Sequence, residues 1–167
     1  MSRINQFVRC ISAKLNEEDN KFIERYLNED EKKILYKLPI YDIKHSINVA
    51  KDIIKNESFD KITNSELNYN ELIKSAILHD VGKSYRPLSP IDKSIVVLLN
   101  NFTNGKIKKY SNKSSRIYIY FNHGEVGYNI LRHKGYSKEF LDTIKNHHNY
   151  NEENSWLEIL RKYDDRN

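Results

Sequence analysis

Residues 76–83 read AILHDVGK and place two polar side chains at the end of an apolar helical pattern. The row of Leu72 and Ala76 continues into His79, and the row of Ile73 and Ile77 continues into Asp80. An ionised carboxylate at the end of a buried row costs several kcal/mol unless it is paired or binds a metal. The pattern therefore makes both residues candidates for a functional site, although an Asp that caps a turn or pairs with Lys83 would explain an isolated pair.

The same arrangement recurs on other predicted helices, where an imidazole or a carboxylate extends an apolar row. With His79 and Asp80, these residues are His45, His147, His148 and Asp164, and His123 joins them because it lies just before a predicted helix whose Gly127 allows close backbone packing. His133 is excluded, because it lies in a predicted last turn where the helix dipole favours an exposed imidazole. Five imidazoles and two carboxylates without a thiolate suit Fe or Mn, with Co, Ni or Zn also suitable. Seven ligands exceed what one tetrahedral ion uses, so the pattern predicts two divalent metal ions.

Apolar spacing predicts helices almost throughout and hence an all-α, single-domain helical bundle. The predicted helices after the N-terminal region cover about 42–56, with Asp42 as a possible N-cap, and then 69–80, 91–104, 124–135, 137–148 and 154–165. One segment differs: Ile117–Phe121 is rich in β-branched and aromatic residues and can pair with 106–110, which predicts a short β-hairpin within 106–121. Amphipathic patterns in residues 1–40 predict N-terminal helices packed on, or extending, a core domain of 41–167.

Composition limits the class of protein. The chain has 167 residues, enough for one domain. Its longest apolar run, Ile95–Leu99, is too short for a membrane span, and the single Cys10 cannot form an internal disulfide, so we expect a cytoplasmic protein without a membrane partner.

The net charge of +5 is local. Residues 103–122 hold five basic residues and no acidic one, and the remainder is balanced at 23 against 23. This pattern favours a phosphate-bearing ligand or a solvated loop, and no DNA-binding module is predicted.

Three elements together resemble a known family: His45, the motif HDVGK at 79–83, and Asp164 near the end of a Leu-rich helix. They are similar to the HD-domain superfamily of metal-dependent phosphohydrolases. His123 in HGEVG and the doublet His147-His148 resemble its two-metal branch. The resemblance spans about 41–165. It implies a helical fold and a metal-activated hydroxide that cleaves a phosphate ester or anhydride of a nucleotide or another small phosphorylated metabolite.

The resemblance also implies roles for individual residues. His45, His79, Asp80 and Asp164 would bind one metal, and Asp80 would bridge to a second held by His123, His147 and His148. Asp80 would orient the hydroxide and Lys83 would approach the substrate phosphate. Arg86, Lys106, Lys108 and Lys109 are further candidates for phosphate binding, and Asp165 is the alternative to Asp164 if the helix register shifts by one residue.

One branch of the superfamily fits poorly. Its enzymes cleave cyclic dinucleotides, and in them an acidic residue and a later Gly-Tyr-Pro follow the doublet. Here Asn149 follows it and no Gly-Tyr-Pro is present, so cyclic di-GMP hydrolysis is disfavoured.

Other classes of function stay open at this point. The chain would also fit a regulatory or ligand-binding module that keeps its metals without catalysis, or a di-iron oxygenase, since imidazole and carboxylate ligands suit oxygen chemistry as well. A helical interaction domain with structural histidines is the remaining reading. A homodimer is possible, with residues 1–40 as one candidate contact.

Overall fold

The computed structural model describes residues 12–58, 66–152 and 154–167. Within them the chain is all-helical and contains no strand, which confirms the predicted fold class. The α-helices are α1 (Glu17–Tyr26), α2 (Glu29–Leu35), α3 (Ile40–Asn56), α4 (Glu66–Leu78), α5 (Pro90–Phe102), α6 (Ser115–Leu131), α7 (Lys138–Asn146) and α8 (Ser155–Asp164). Two 3-10 helices, Val81–Tyr85 and Lys106–Lys113, follow α4 and α5. None of the described helices is both long enough and apolar enough to cross a bilayer.

The core is one apolar cluster built around the contact between α3 and α4. Ile47 of α3 and Ile77 of α4 are fully buried in it, as is Leu160 of α8. The helices before residue 40 share this core, because Ile23 of α1 and Leu35 of α2 are also fully buried there. Burying a side chain of this size contributes about 1.5–3 kcal/mol, so α1 and α2 stabilise the bundle that carries the other helices.

Local signals explain where several helices begin. Asn16, Asn28 and Ser89 each accept a hydrogen bond from the backbone three residues later, where an acidic side chain returns the bond. These capping boxes satisfy backbone N–H groups that the helix itself leaves unpaired. Pro90 at the first position of α5 has no N–H to satisfy.

The predicted β-hairpin within 106–121 is wrong. Residues 106–113 form a 3-10 helix, and Ile117–Phe121 belongs to α6, which begins at Ser115 rather than at Gly124. Helical spacing places Ile119, His123 and Gly127 on one buried face of α6. Burial of that face outweighs the local preference of β-branched and aromatic residues for a strand.

Two other predictions concern the N-terminal half. Asp42 is not an N-cap, since Pro39 occupies that position and Asp42 lies buried in the first turn of α3. Its carboxylate is instead paired with Lys93, 2.6 Å away. The first eleven residues of the amphipathic stretch predicted at 1–40 lie outside the described residues.

Candidate metal centre

The predicted metal ligands come from five helices and meet at one end of the bundle. His45 lies in α3, His79 and Asp80 follow α4 directly, His123 lies in α6, His147 and His148 follow α7, and Asp164 is the last residue of α8. They form two groups, Asp80 with His123, His147 and His148, and His45 with His79 and Asp164. In each group the donor atoms lie within 4.8 Å of one another, which is close enough for one ion per group.

Three of the imidazoles are held by their own helices. Nδ1 of His79, His123 and His147 lies 2.8 Å from Ala76 O, 3.1 Å from Ile119 O and 2.8 Å from Ile144 O. A carbonyl oxygen only accepts, so each Nδ1 carries a proton and donates it. Nε2 is then the nitrogen that faces the centre, and it binds a metal once it is unprotonated.

Two buried atoms at the centre have no hydrogen-bond partner, Nε2 of His79 and Oδ1 of Asp80. Nε2 of His79 lies 3.5 Å from carboxylate oxygens of both Asp80 and Asp164, and Oδ1 of Asp80 lies 3.3 Å from Nε2 of His123. Unsatisfied polar atoms at such depth are costly. Together with the nitrogen and carboxylate donor set, they fit a site built for divalent transition metals.

Lys83 adds a positive charge beside this carboxylate. Its ammonium forms an ion pair with Oδ2 of Asp80 and lies 3.9 Å from Oδ1 of Asp42. Burial alone would raise the pKa of Asp80, but Lys83 and the surrounding imidazoles outweigh it and hold that pKa well below its ordinary value. Asp80 is therefore ionised at neutral pH, as a carboxylate must be to bind a metal.

The imidazoles differ in their electrostatic surroundings. Burial lowers the pKa of His147 to about 4, so this imidazole is neutral and able to bind a metal at pH 7. Burial also acts on His79, but the carboxylates of Asp80 and Asp164 outweigh it and raise the His79 pKa to about 9. A metal that binds His79 must therefore displace a proton. His148 is the most exposed ligand and lies at the rim.

Asp164 and Asp165 have different surroundings. Oδ1 of Asp164 lies 2.7 Å from Nε2 of His45, whereas Asp165 is exposed and its carboxylate lies 3.4–3.5 Å from the Tyr150 hydroxyl. The structure therefore places Asp164 with the ligands and Asp165 outside them.

Glycines allow the ligand-bearing segments to approach each other. A Cβ on Gly82 would lie 1.9 Å from the backbone oxygen of His123, and one on Gly124 would lie 2.4 Å from Lys145 O. The 3-10 helix after Asp80 thus packs backbone to backbone on α6, and α6 packs in the same way on α7. The spacing of Asp80, His123 and His147 depends on these contacts.

Arg161 of α8 holds the doublet segment, and sequence reasoning missed it. Its buried guanidinium donates to the carbonyls of His147 (3.0 Å), Asn146 (2.8 Å), Asn149 (2.7 Å) and Glu152 (2.9 Å). Hydrogen bonds from a charged donor are the strong ones. Arg161 therefore fixes the turn that carries His147 and His148. Because the acceptors are backbone carbonyls, the residue types at 146–152 give no indication of this contact in the sequence.

Two cavities flank the ligands. A cleft of about 930 Å³ runs between α5 and α6 to His123 and His148, and a cavity of about 650 Å³ reaches His45 and Asp164. Lys83 lines both. The cleft is otherwise largely apolar and aromatic, and its lining includes Leu88, Val97, Ile119, Tyr120, Phe121 and Tyr150.

The predicted phosphate-binding residues divide into two sets. Lys83 and Lys108 line the cleft. Arg86, Lys106 and Lys109 are exposed and lie outside its lining. Lys93, which was not predicted, lines both cavities and is held by Asp42 at 2.6 Å. The signal in the sequence was the position of Asp42, one helical turn before His45 on α3, which places its carboxylate near the metal ligands.

The fold and the centre define a class: a helical bundle whose helix ends converge on imidazoles and carboxylates placed to hold divalent metal. A family model, the HD domain, matches residues 42–166, and the chain belongs to this family. Its members are largely metal-dependent hydrolases, and the family implies divalent metal binding. Comparison with curated proteins and with solved structures gave no match.

Proposed function

We propose that the protein is a metal-dependent phosphohydrolase that binds two divalent transition metals, Fe or Mn foremost. The substrate is a phosphate ester or anhydride, and we infer a nucleotide or another small phosphorylated metabolite. The observation that carries the proposal is the position of Lys83, which pairs with Asp80 between the two ligand groups and lines both cavities. A fixed cation beside paired metal sites is an arrangement suited to a phosphoryl group.

The two ligand groups support a proposal of one ion each. His45, His79 and Asp164 would hold one ion and Asp80, His123, His147 and His148 the other, with Oδ2 of Asp80 3.5 Å from Nε2 of His79 in the first group. When bound, such ions supply an acidified water as nucleophile and stabilise negative charge on phosphoryl oxygens.

The residues of the chain perform the remaining tasks. Asp80 accepts a hydrogen bond from the attacking water and orients it, while Lys83 donates to a phosphoryl oxygen and offsets the charge that develops there. Lys108 in the cleft wall binds a more distant phosphate or other anionic group. The apolar cleft lining packs on the organic part of the substrate and excludes water.

Turnover by the purified, Mn²⁺-loaded protein of a panel of nucleotides and a generic aryl phosphate tests the proposal, with elemental analysis in parallel. His79→Ala and Asp80→Asn should abolish hydrolysis while far-UV circular dichroism is retained. His133→Ala is the matched control, because this exposed imidazole lies outside both ligand groups.

Two results would contradict the proposal. Full metal loading without turnover of any phosphorylated compound would favour a regulatory module. A metal content far below one equivalent after metal-replete expression would favour a helical interaction domain.

A further inference from the structure

Helix α5 presents a stripe of large apolar side chains to solvent. The apolar stripe consists of Ile91, Ile95, Leu98, Leu99 and Phe102, all exposed, with Phe102 84% accessible. Their spacing places them within one arc of the helix, while Val96 on the opposite side is buried. Scattered exposed apolar residues are ordinary, but a continuous stripe of five on one helix face marks a contact surface.

A basic segment, Lys106–Lys113, follows α5 directly. Its four lysines, Lys106, Lys108, Lys109 and Lys113, are exposed, and none forms an ion pair with a carboxylate among residues 12–58, 66–152 and 154–167. Gly105, in the left-handed conformation at φ 81°, makes the turn between the stripe and this segment. Tyr110 within it is also 44% exposed. The surface thus combines an apolar helix face, uncompensated positive charge and an exposed aromatic ring.

Charge decides between the possible occupants of this surface. In a symmetric dimer formed through the apolar stripe, the same patch meets itself, and because neither the stripe nor the basic segment contains a carboxylate, the lysines gain no opposite charge. An anionic lipid surface instead accepts both parts, since its acyl region takes apolar side chains and its headgroups attract lysines.

We propose that the apolar stripe and the basic segment bind the surface of an anionic lipid bilayer, with α5 lying in the plane of the interface. Surface binding of this kind needs no membrane-spanning helix. Leu98 and Lys108 belong both to this surface and to the wall of the cleft that leads to His123. Docking would therefore place the mouth of the cleft beside the headgroups.

Vesicle co-sedimentation of the full-length chain tests the proposal independently of any hydrolase activity. The protein should pellet with phosphatidylcholine vesicles that contain phosphatidylserine, much less with phosphatidylcholine alone, and less as salt rises. Lys106→Gln with Lys113→Gln should weaken binding by about 30-fold, because each lysine near an anionic surface contributes roughly 1 kcal/mol, a factor of about five.

Ile91→Ser with Phe102→Ser should weaken binding to the same vesicles by at least about tenfold, since the apolar contribution is lost. Neither residue lines the cleft, and both are exposed, so the fold should survive, which circular dichroism checks. Ile40→Ser and Lys55→Gln, exposed on α3, are the matched controls and should bind like the unmodified protein.

Other outcomes would overturn the proposal. Absence of binding to anionic vesicles would do so, as would binding that both double variants retain. A dimer in analytical ultracentrifugation that Ile91→Ser with Phe102→Ser dissociates, without vesicle binding, would assign the apolar stripe to a second copy of the chain.

Discussion

Replacement of Gly82 by alanine should move Asp80 away from His123 without altering any metal ligand. The added Cβ would lie 1.9 Å from His123 O and 2.7 Å from Gly127 N, both backbone atoms that cannot rotate away. An ordinary contact begins near 3.4 Å, so the 3-10 helix and α6 must move apart by about 1.5 Å. Metal-ligand distances tolerate only about 0.2 Å. Asp80 and His123 could then no longer share an ion.

If the proposed function holds, Gly82→Ala should lose one of the two proposed metal equivalents and most of the hydrolysis. Overpacking of this kind costs roughly 1–3 kcal/mol, which lowers Tm by about 3–10 °C in a domain of this size. Elemental analysis and thermal unfolding measure the two effects.

Gly127→Ala is the matched control for this substitution. Its Cβ would meet the flexible Ile144 side chain at 3.1 Å, and a smaller loss is expected. A Gly82→Ala protein with unchanged metal content and Tm would refute the reasoning.

Three further predictions follow from other contacts. Arg161→Lys keeps the charge but not the planar guanidinium that donates to four carbonyls. We expect the free energy of unfolding in urea to fall by about 2–3 kcal/mol and one metal equivalent to bind more weakly. Unchanged metal occupancy would show that the turn does not need Arg161. Asp19→Asn should cost about 2 kcal/mol at pH 7, since Lys44 and Lys51 pair with this buried carboxylate. Burial raises the pKa of Asp19, but these partners outweigh it and lower that pKa overall. The stability that Asp19 contributes is therefore present above the ordinary carboxyl pKa and fades as pH falls. A loss of unfolding free energy in Asp19→Asn that is equal at pH 3 and pH 7 would contradict this. Mn²⁺ at about 100 times its Kd should stabilise the unmodified protein by about 2.7 kcal/mol per site, and His79→Ala by less, in thermal unfolding.

The fold class could be predicted because it rests on helical spacing, and the family could be predicted because His45, the HDVGK motif at 79–83 and Asp164 resemble it. Apolar residues three and four apart mark the buried face of a helix, and an extension of those rows finds Asp80 and His147. The structure brings the seven predicted ligands together. Their metals stay a prediction.

Other features could not be found in this way. The strand predicted at Ile117–Phe121 followed residue preference, and the packing of α6 overrode it. Asp is a common N-cap residue, so the sequence favoured that role for Asp42. Its actual partner, Lys93, lies 51 positions away in the chain. Arg161 binds carbonyl oxygens, which every residue has.

His45 and Asp164 are 119 positions apart, yet their side chains touch at 2.7 Å. A metal ion bound by both residues would therefore link the first and the last helix of the HD domain. Detachment of α8 would break this link at Asp164 and would also remove Arg161 from the turn that carries His147. Metal loading should therefore slow unfolding of the whole chain, so that the loaded protein resists proteases longer than the stripped one.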